Sequence, residues 1–394
     1  MTEKSNSLRT MLRTVPEIER ALTGIWTAAR QGGPETDPAE HHVVARSSVL
    51  NLVVLAGHVE TAEKCSATIT ATSGHHPSRS LVISEVDPDG PPGLKAWIET
   101  LAVPVPSGRV EAGAESVHIT VSGETGRHLA SIIVPLLVHD LPVALWWPAN
   151  PPFNSHRADR LLPIAERLIV DGSSWSGNGL ERLGAMAELA ARRHLAVADF
   201  ALLRQARWRE AIASVYDRPD LRAHLRAIQS IRIFYSAVEA GDSRALTNIV
   251  RPVYHLAWLA SRLGMTAAEP LAPGPAGSRV ATLRQGDHAV AVILEPAVAP
   301  LGPGSTVRVE ITSRAHGMKL VGDVTAGDWT VDVVIREDDD ERVRRSFPAP
   351  RLNDVDLLGL AVEEGSPDPI GAQTLAMAGR LVGSGPRSNR ERRQ

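Results

Sequence analysis

Cysteine is almost absent from this sequence. Cys65 is the only one, so no disulfide can close within the chain and no thiolate cluster can hold a metal. That usage suits a reducing compartment, and a cytoplasmic location is expected. An excess of one charge is also missing: 42 Lys and Arg stand against 45 Asp and Glu, a net charge of -3, which offers a polyanion no attraction and argues against nucleic acid as a partner. Membrane-length apolar runs are lacking too. Pro135, His139, Asp140 and Pro142 break the stretch from Ala130 to Trp147 into pieces too short to span a bilayer. The opening MTEKSNSLRTMLRTVPEIER has no hydrophobic region of the kind a signal peptide carries and reads as a polar tail entering an amphipathic helix.

The usual catalytic signatures are missing as well. Neither GxxxxGK[ST] nor HExxH occurs. Gly177-Asn178-Gly179 begins a dinucleotide fingerprint, but Arg182 occupies the position where a third glycine would let a helix pack closely. Gly172 to Ser176, GSSWS, fails as a nucleophile elbow because Ser176 replaces the closing glycine, and Ser173 and Ser174 read more simply as capping residues of a turn. The adjacent pairs His41-His42 and His75-His76 diverge on one backbone rather than converge on an ion. No cofactor, no metal and no catalytic set is therefore expected.

What is present is an ordinary globular composition, 43% hydrophobic and 22% charged over 394 residues, enough for two or three domains with their own cores. After a helix near Val15–Arg30, the apolar run Val49–Ala56 has strand length and suits a strand covered on both faces. A helix at Val59–Ala71 and the strand SLVISEVD follow. LKAWIETLAVPV and ESVHITVSG alternate as half-wet strands. RHLASIIVPLLVHD then delivers the chain to PVALWW, and SHRADRLLPIAE to RLIVDGSSW. This βα alternation predicts an α/β N-terminal domain with a mostly parallel, doubly wound sheet.

GLERLGAMAELAARRH and ARWREAIASVY are helical, and beyond them the pattern changes. AIQSIRIFYSA is a strand and RALTNIVRPVYHLAWLASRLG a helix, EPLAPGPAGS reads as a flexible turn or linker, and the runs from Arg279 to Phe347 read as strands of an antiparallel meander. EDDDE beside RVRR marks a hairpin turn with charge pairing across it. A closing helix is expected over DVDLLGLAVEEGSPDPIGAQTLAMAGRLV. The expected organisation is a disordered tail at 1–12, the α/β domain at 13–205, a smaller α+β domain with an antiparallel sheet at 206–380, and a disordered basic tail at 381–394.

In a doubly wound sheet, ligands and partners meet the carboxyl ends of the strands. Those ends would carry His58, Asp87, the run Trp146-Trp147-Pro148-Ala149-Asn150, and the run Asp171-Gly172-Ser173-Ser174-Trp175, gathering three of eight tryptophans near one edge. Trp146 and Trp147 suit a core, a ligand wall or a partner anchor, since indole joins a large apolar area to one donor. Neighbours on a strand face opposite layers, so one indole is expected to lock the strand into a helix layer and the other to line the edge offered to a partner. His75, Ser78 and Arg79 suit either an anion contact or a helix-to-strand turn. On a helix, Trp208 would pack while Arg207 and Arg209 splay to either side, toward acceptors on another domain or chain or into solvent as a basic face.

Taken in order, RSSVLNLVVLA, GHHPSRSLVI, GRHLASIIVPLLVHDLPVALWWPANPP, ARWREAIASVYDRP and YHLAWLASRLGM resemble the successive blocks of the OpcA family, the glucose-6-phosphate dehydrogenase assembly proteins, from about Arg46 to Met265. The resemblance implies a non-catalytic companion that promotes assembly or activity of glucose-6-phosphate dehydrogenase at the entry of the oxidative pentose phosphate pathway. Matching positions are His75, Pro77, Ser78, Arg79, Leu141, Pro142, Trp146, Trp147, Arg207, Trp208 and Arg209. Thiol control, associated with photosynthetic members, has no internal dithiol here because Cys65 stands alone. The leading expectation is an assembly or allosteric subunit contacting the dehydrogenase through Trp146, Trp147, Asn150, Asp171, Ser173, Trp175 and the Arg207–Arg209 segment, with a sugar-phosphate effector. The alternative is a sugar-phosphate-binding enzyme using the same edge, with Asp171 and Ser173 as polar contacts.

Overall fold

The computed structural model describes residues 6–31, 45–46, 48–104, 111–237, 247–363 and 368–383. The chain forms two compact units, Met1–Val170 with Asn353–Gly365 and Asp171–Leu352 with Ser366–Gln394. The division thus falls at Val170/Asp171 rather than near residue 205, and the second unit is the larger, not the smaller.

The first unit carries strands β1 (Asn6–Leu12), β2 (Ala45–Arg46), β3 (Leu50–Gly57), β4 (Ser78–Glu85), β5 (Gly93–Pro104), β6 (Glu111–Ser122), β7 (Val143–Trp147) and β8 (Arg167–Val170), with helices α1 (Val15–Gln31), α2 (Val59–Thr72), α3 (Leu129–Leu136) and α4 (His156–Leu161). The order is β1-β5-β6-β4-β3-β7-β8, with β2 beside β6. Strands β6, β4, β3, β7 and β8 run parallel, as βα crossovers require. β5 and β6 instead form an antiparallel pair at one side, extended by β1 antiparallel to β5. The expected disordered tail is corrected by this: Asn6–Leu12 pairs with β5 from Asn6↔Thr100 to Leu12↔Ala96. An exposed strand edge leaves amides and carbonyls unpaired, and a passing polar segment satisfies them.

Asn51 interrupts the apolar run of β3 for a structural reason. Its Nδ2 donates to the carbonyls of Val138 and Leu141 at 3.0 and 3.1 Å, and its Oδ1 accepts from the Val138 amide at 2.8 Å. One buried amide therefore clamps the turn that delivers Leu141 and Pro142 into β7.

The second unit contains α5 (Leu180–Arg193), β9 (Ala196–Asp199), α6 (Phe200–Leu203), α7 (Ala206–Ser214), a 3-10 helix (Pro219–Arg226), β10 (Ile228–Ser236), α8 (Val250–Arg262), β11 (Thr266–Pro273), β12 (Arg279–Gln285), β13 (His288–Ala297), β14 (Thr306–Ala315), β15 (Met318–Ala326), β16 (Thr330–Glu337) and β17 (Asp340–Pro348). Its eight-stranded sheet runs β11-β12-β13-β10-β14-β15-β16-β17. It is antiparallel except where β10 inserts parallel to β13. Of Glu269–Ser278, expected as a flexible turn or linker, Glu269–Pro273 belong to strand β11, and the edge position explains how: Pro270 and Pro273 lack amide hydrogens that an outer edge does not use.

The acidic hairpin holds as read. Asp338 and Asp339 have φ of 45° and 79°, the left-handed pair of a two-residue turn, and Arg342 pairs with Glu337 beside it. Where one closing helix was expected there are two, α9 (Asp354–Glu363) in the first unit and α10 (Pro369–Leu381) in the second, the latter capped by Asp368 accepting from the Ile370 amide. Of the tail expected at 381–394, Leu381 is instead the buried last residue of α10, while 384–394 lie outside the described residues, as does His41-His42. Among the described residues no helix is long and apolar enough to cross a membrane.

Candidate functional site

In the first unit the expected anion contacts are not free to make one. Ser78 and Arg79 lie inside β4 rather than in a turn, and both are buried. The Arg79 guanidinium grips Glu115 through Nε and Nη2 at 2.8 and 2.9 Å and donates from Nη1 to the Leu136 carbonyl at 3.1 Å. Ser78 Oγ shares a hydrogen with Ser80 Oγ at 2.8 Å. A charge in a sheet covered on both faces must be paired, and this one is, so the anion reading of His75, Ser78 and Arg79 is corrected. His75 is exposed, whereas His76 stands 3.7 Å from Glu363.

The tryptophan pair also departs from expectation. Trp146 and Trp147 are 3% and 6% exposed, so neither lines an open edge. β7 lies between β3 and β8 and all five of its residues are buried. Alternation therefore sends the two indoles to opposite faces, and both faces are covered. Asn150, in the turn beyond, is exposed.

Asp171, Ser173 and Trp175 belong to the second unit, where the sequence-flagged turn joins residues that no motif announced. Asp171 accepts the Ser173 amide at 3.1 Å and the Ser173 hydroxyl at 2.6 Å, and Arg204 Nη1 lies 2.9 Å from each of its carboxylate oxygens. Ser173 Oγ in turn accepts from Arg204 and from Arg251, both at 3.2 Å, while Arg251 Nη1 reaches Ser305 Oγ at 2.9 Å. Beneath them Asp199 accepts the amides of Gly172 and Ala201 and the Tyr254 hydroxyl, each at 2.8 Å. Burial, helped by the Asp171 charge, pushes the Asp199 carboxyl up to about 6. Burial and the Arg204 charge hold Arg251 below its ordinary value. Asn248 ties the turn to α8, its Nδ2 donating to the carbonyls of Gly172 and Trp175 at 2.9 Å each.

Two carboxylates face two guanidiniums across Ser173, so the charges offset one another. Nucleophilic catalysis needs a base with a free lone pair beside the hydroxyl, and the carboxylate that accepts the Ser173 proton is itself held by Arg204. The arrangement is a polar hub that fastens four chain segments, 171–175, 199–204, 248–254 and Ser305. Its partners Asp199, Arg204, Asn248, Arg251 and Tyr254 were not singled out in the sequence; the one available signal was Asp199, a carboxylate closing the short apolar strand AVAD. Trp175 is 2% exposed and is also core.

On α7 the indole packs as expected, and Arg207 lies on the solvated face that was the alternative reading. Trp208 packs edge-on against His255 with ring centroids 5.2 Å apart, and burial with the Arg209 and Arg251 charges depresses that histidine to about 3, keeping it neutral. Arg207 is exposed and pairs with Glu210 on its own helix at 2.8 Å, because three helical residues bring side chains onto one face.

A charged surface feature lies on the second sheet. Ile231, Ile233, Val309, Ile311, Leu320 and Val324 are buried on one face, and the alternate residues carry a charged lattice on the other. Arg232 pairs with Glu295 at 2.9 Å and Glu310 at 3.7 Å; Arg308 pairs with Glu310 at 2.7 Å and Asp323 at 2.6 Å; Arg336 reaches Asp323 at 3.5 Å. Phe234 sits between Arg232 and Arg308, whose guanidinium carbons lie 5.1 and 5.3 Å from its ring centre. The side chains of Arg232 and Arg336 are each 39% exposed.

Fold and sites together define a two-unit α/β protein in which the Asp171 hub and the charged lattice of the second sheet are engaged with themselves. Residues 69–188 match the family model described as glucose-6-phosphate dehydrogenase subunit N-terminal domain, and residues 195–375 match that of the C-terminal domain. The chain belongs to this OpcA family of glucose-6-phosphate dehydrogenase subunits. A curated relative from Nostoc punctiforme, named for OpcA and the OxPP cycle, is 35% identical over 150 residues, 37% of this chain and 30% of the relative. One of the same name from Synechocystis sp. is 32% identical over 151 residues, 38% of this chain and 30% of the relative. The matched part thus spans under a third of either relative.

Among solved structures, UDP-N-acetylglucosamine 3-dehydrogenase from Acidithiobacillus ferrooxidans is 13% identical with a TM-score of 0.43, over 86% of this chain and 98% of that one. Gal80p from Saccharomyces cerevisiae is 12% identical with a TM-score of 0.43, over 88% and 97%. Likeness at that level ties this chain to the chemistry of neither.

Proposed function

We propose that this chain is a non-catalytic subunit that assembles with glucose-6-phosphate dehydrogenase and alters its activity. The observation that carries the reading is family membership across both units, 69–188 and 195–375. The engaged state of the Asp171–Ser173 hub supports it, since those groups serve the fold instead of a substrate. The same engagement counts against the sugar-phosphate enzyme that Asp171 and Ser173 had suggested. With Trp146, Trp147 and Trp175 buried, the Arg232–Phe234–Arg308 face of the second sheet is the contact we propose for the dehydrogenase, since its aromatic and arginine side chains, of the type enriched at interfaces, are part-exposed. Arg207 and Trp208 on α7 are a second accessible contact.

The test mixes the full chain with the dehydrogenase of the same organism at micromolar concentration and follows NADP reduction across substrate concentrations, with size-exclusion chromatography of the same samples. Co-elution with a changed rate or substrate affinity is expected. Absence of both refutes the subunit reading. Arg232→Ala with Arg308→Ala, folded by circular dichroism, is expected to abolish co-elution; unchanged co-elution refutes the sheet face as the contact while leaving the subunit reading intact.

A further inference from the structure

Immediately after α7 the chain folds around a cavity of about 480 Å³ lined by Tyr216, Asp217, Arg222, Ala223, Leu225 and Arg226. That volume is within the range of sites for small metabolites. The 3-10 helix Pro219–Arg226 supplies four of the six residues, and its buried Leu221 and His224 anchor it, with His224 Nδ1 3.0 Å from Ser313 Oγ on β14. The wall is therefore held by packing beneath it and does not depend on its polar rim.

The rim is electrostatically incomplete. Arg218 and Asp220 on the same segment satisfy each other in a two-point pair at 2.7 and 3.1 Å. Arg222 and Arg226 have no ion pair or side-chain hydrogen bond among the described residues, nor does Asp217. Two arginines without such partners lining one cavity is what distinguishes the place. Tyr216 is 7% exposed, and its buried hydroxyl also lacks a partner. Burial raises that phenol above its ordinary value, so it remains a neutral donor.

We propose that this cavity binds a small phosphorylated compound bearing hydroxyl groups. Two unpaired guanidiniums on one short helix match a phosphate dianion, for which arginine has the fitting planar donors. Asp217 accepts from the ligand's hydroxyls, and Tyr216, Ala223 and Leu225 lie against its carbon skeleton. The site needs neither the dehydrogenase nor the sheet face, so it stands or falls apart from the subunit reading.

The test is isothermal titration of the full chain alone with glucose 6-phosphate and, as the matched probe without phosphate, glucose. Saturable binding of glucose 6-phosphate is expected, with none for glucose at the same concentrations, and Arg222→Gln with Arg226→Gln is expected to weaken binding at least about tenfold, since each charge-assisted hydrogen bond is worth roughly that factor. Both side chains are exposed and unpaired, so the double variant keeps its ligand-free melting temperature; if it does not, the two single variants are measured, each expected to weaken binding several-fold. No saturable binding by the wild-type chain overturns the proposal. So does equal binding of glucose, or undiminished affinity in the arginine variants, which would place the ligand elsewhere.

Discussion

Replacing Arg79 by alanine would leave the buried Glu115 carboxylate without the guanidinium that pairs with it. The pair is two-point, at 2.8 and 2.9 Å, and the side chains are 9% and 0% exposed, so water cannot take over from the lost guanidinium. Breaking one partner of such a pair costs about 3–5 kcal/mol, a roughly hundred- to several-thousand-fold loss in the folding equilibrium. The Leu136 carbonyl also loses its Arg79 donor, adding about 1 kcal/mol. Arg79→Met with Glu115→Leu behaves differently, because it removes both charges and fills the volume; it is expected within about 2 kcal/mol of wild type. The assay is urea unfolding followed by circular dichroism, with hydrogen exchange of β4 and β6 amides assigning the transition to the first unit, since two units need not unfold together. Either single replacement costing under about 1 kcal/mol, or a double variant whose loss equals the sum of the singles, would refute the argument that this arginine is structural and coupled to Glu115.

Two further outcomes follow from the hub of the second unit. A Cβ at Gly172 would meet Asp199 Oδ2 at 2.6 Å and Val250 Cγ1 at 2.9 Å, so Gly172→Ala is expected to destabilise by about 1–3 kcal/mol, read as a lowered unfolding midpoint; an unchanged midpoint would show the turn to be free to shift. Asp199 has a folded-state pKa raised to about 6 from an ordinary 3.8. Its protonation therefore favours the fold below about pH 4, and that contribution disappears as pH rises through about 6. The difference in stability between wild type and Asp199→Asn should change across that window and be flat above it, and a difference constant from pH 3 to 8 would contradict the raised value, as about two pH units on each side of a titration complete it.

Much of the architecture was already legible along the chain. The apolar run of β3, the helix Val15–Gln31, the βα alternation through β8 and the acidic hairpin depend on periodicity and turn chemistry, which act over a few residues and can be read from them. Local composition misled where an edge made an unpromising segment useful: polar Asn6–Leu12 and proline-bearing Thr266–Pro273 are strands because neighbouring backbones offered unpaired groups. It misled again over the closing helix, which divides between two units.

The sequence by itself determined that this chain has a parallel α/β core, lacks a nucleotide loop and a nucleophile elbow, and carries the ordered blocks of its family, because each of these resides in residue identity and short-range spacing. Tertiary structure decided what the flagged residues are for. Which indole is covered, whether Arg79 or Asp171 already has a partner, and which arginines remain without one all depend on residues tens of positions away: Glu115 for Arg79, Arg204 for Asp171, and no carboxylate among the described residues for Arg222 and Arg226. Burial and charge pairing are properties of the whole packing arrangement, and no local window contains them.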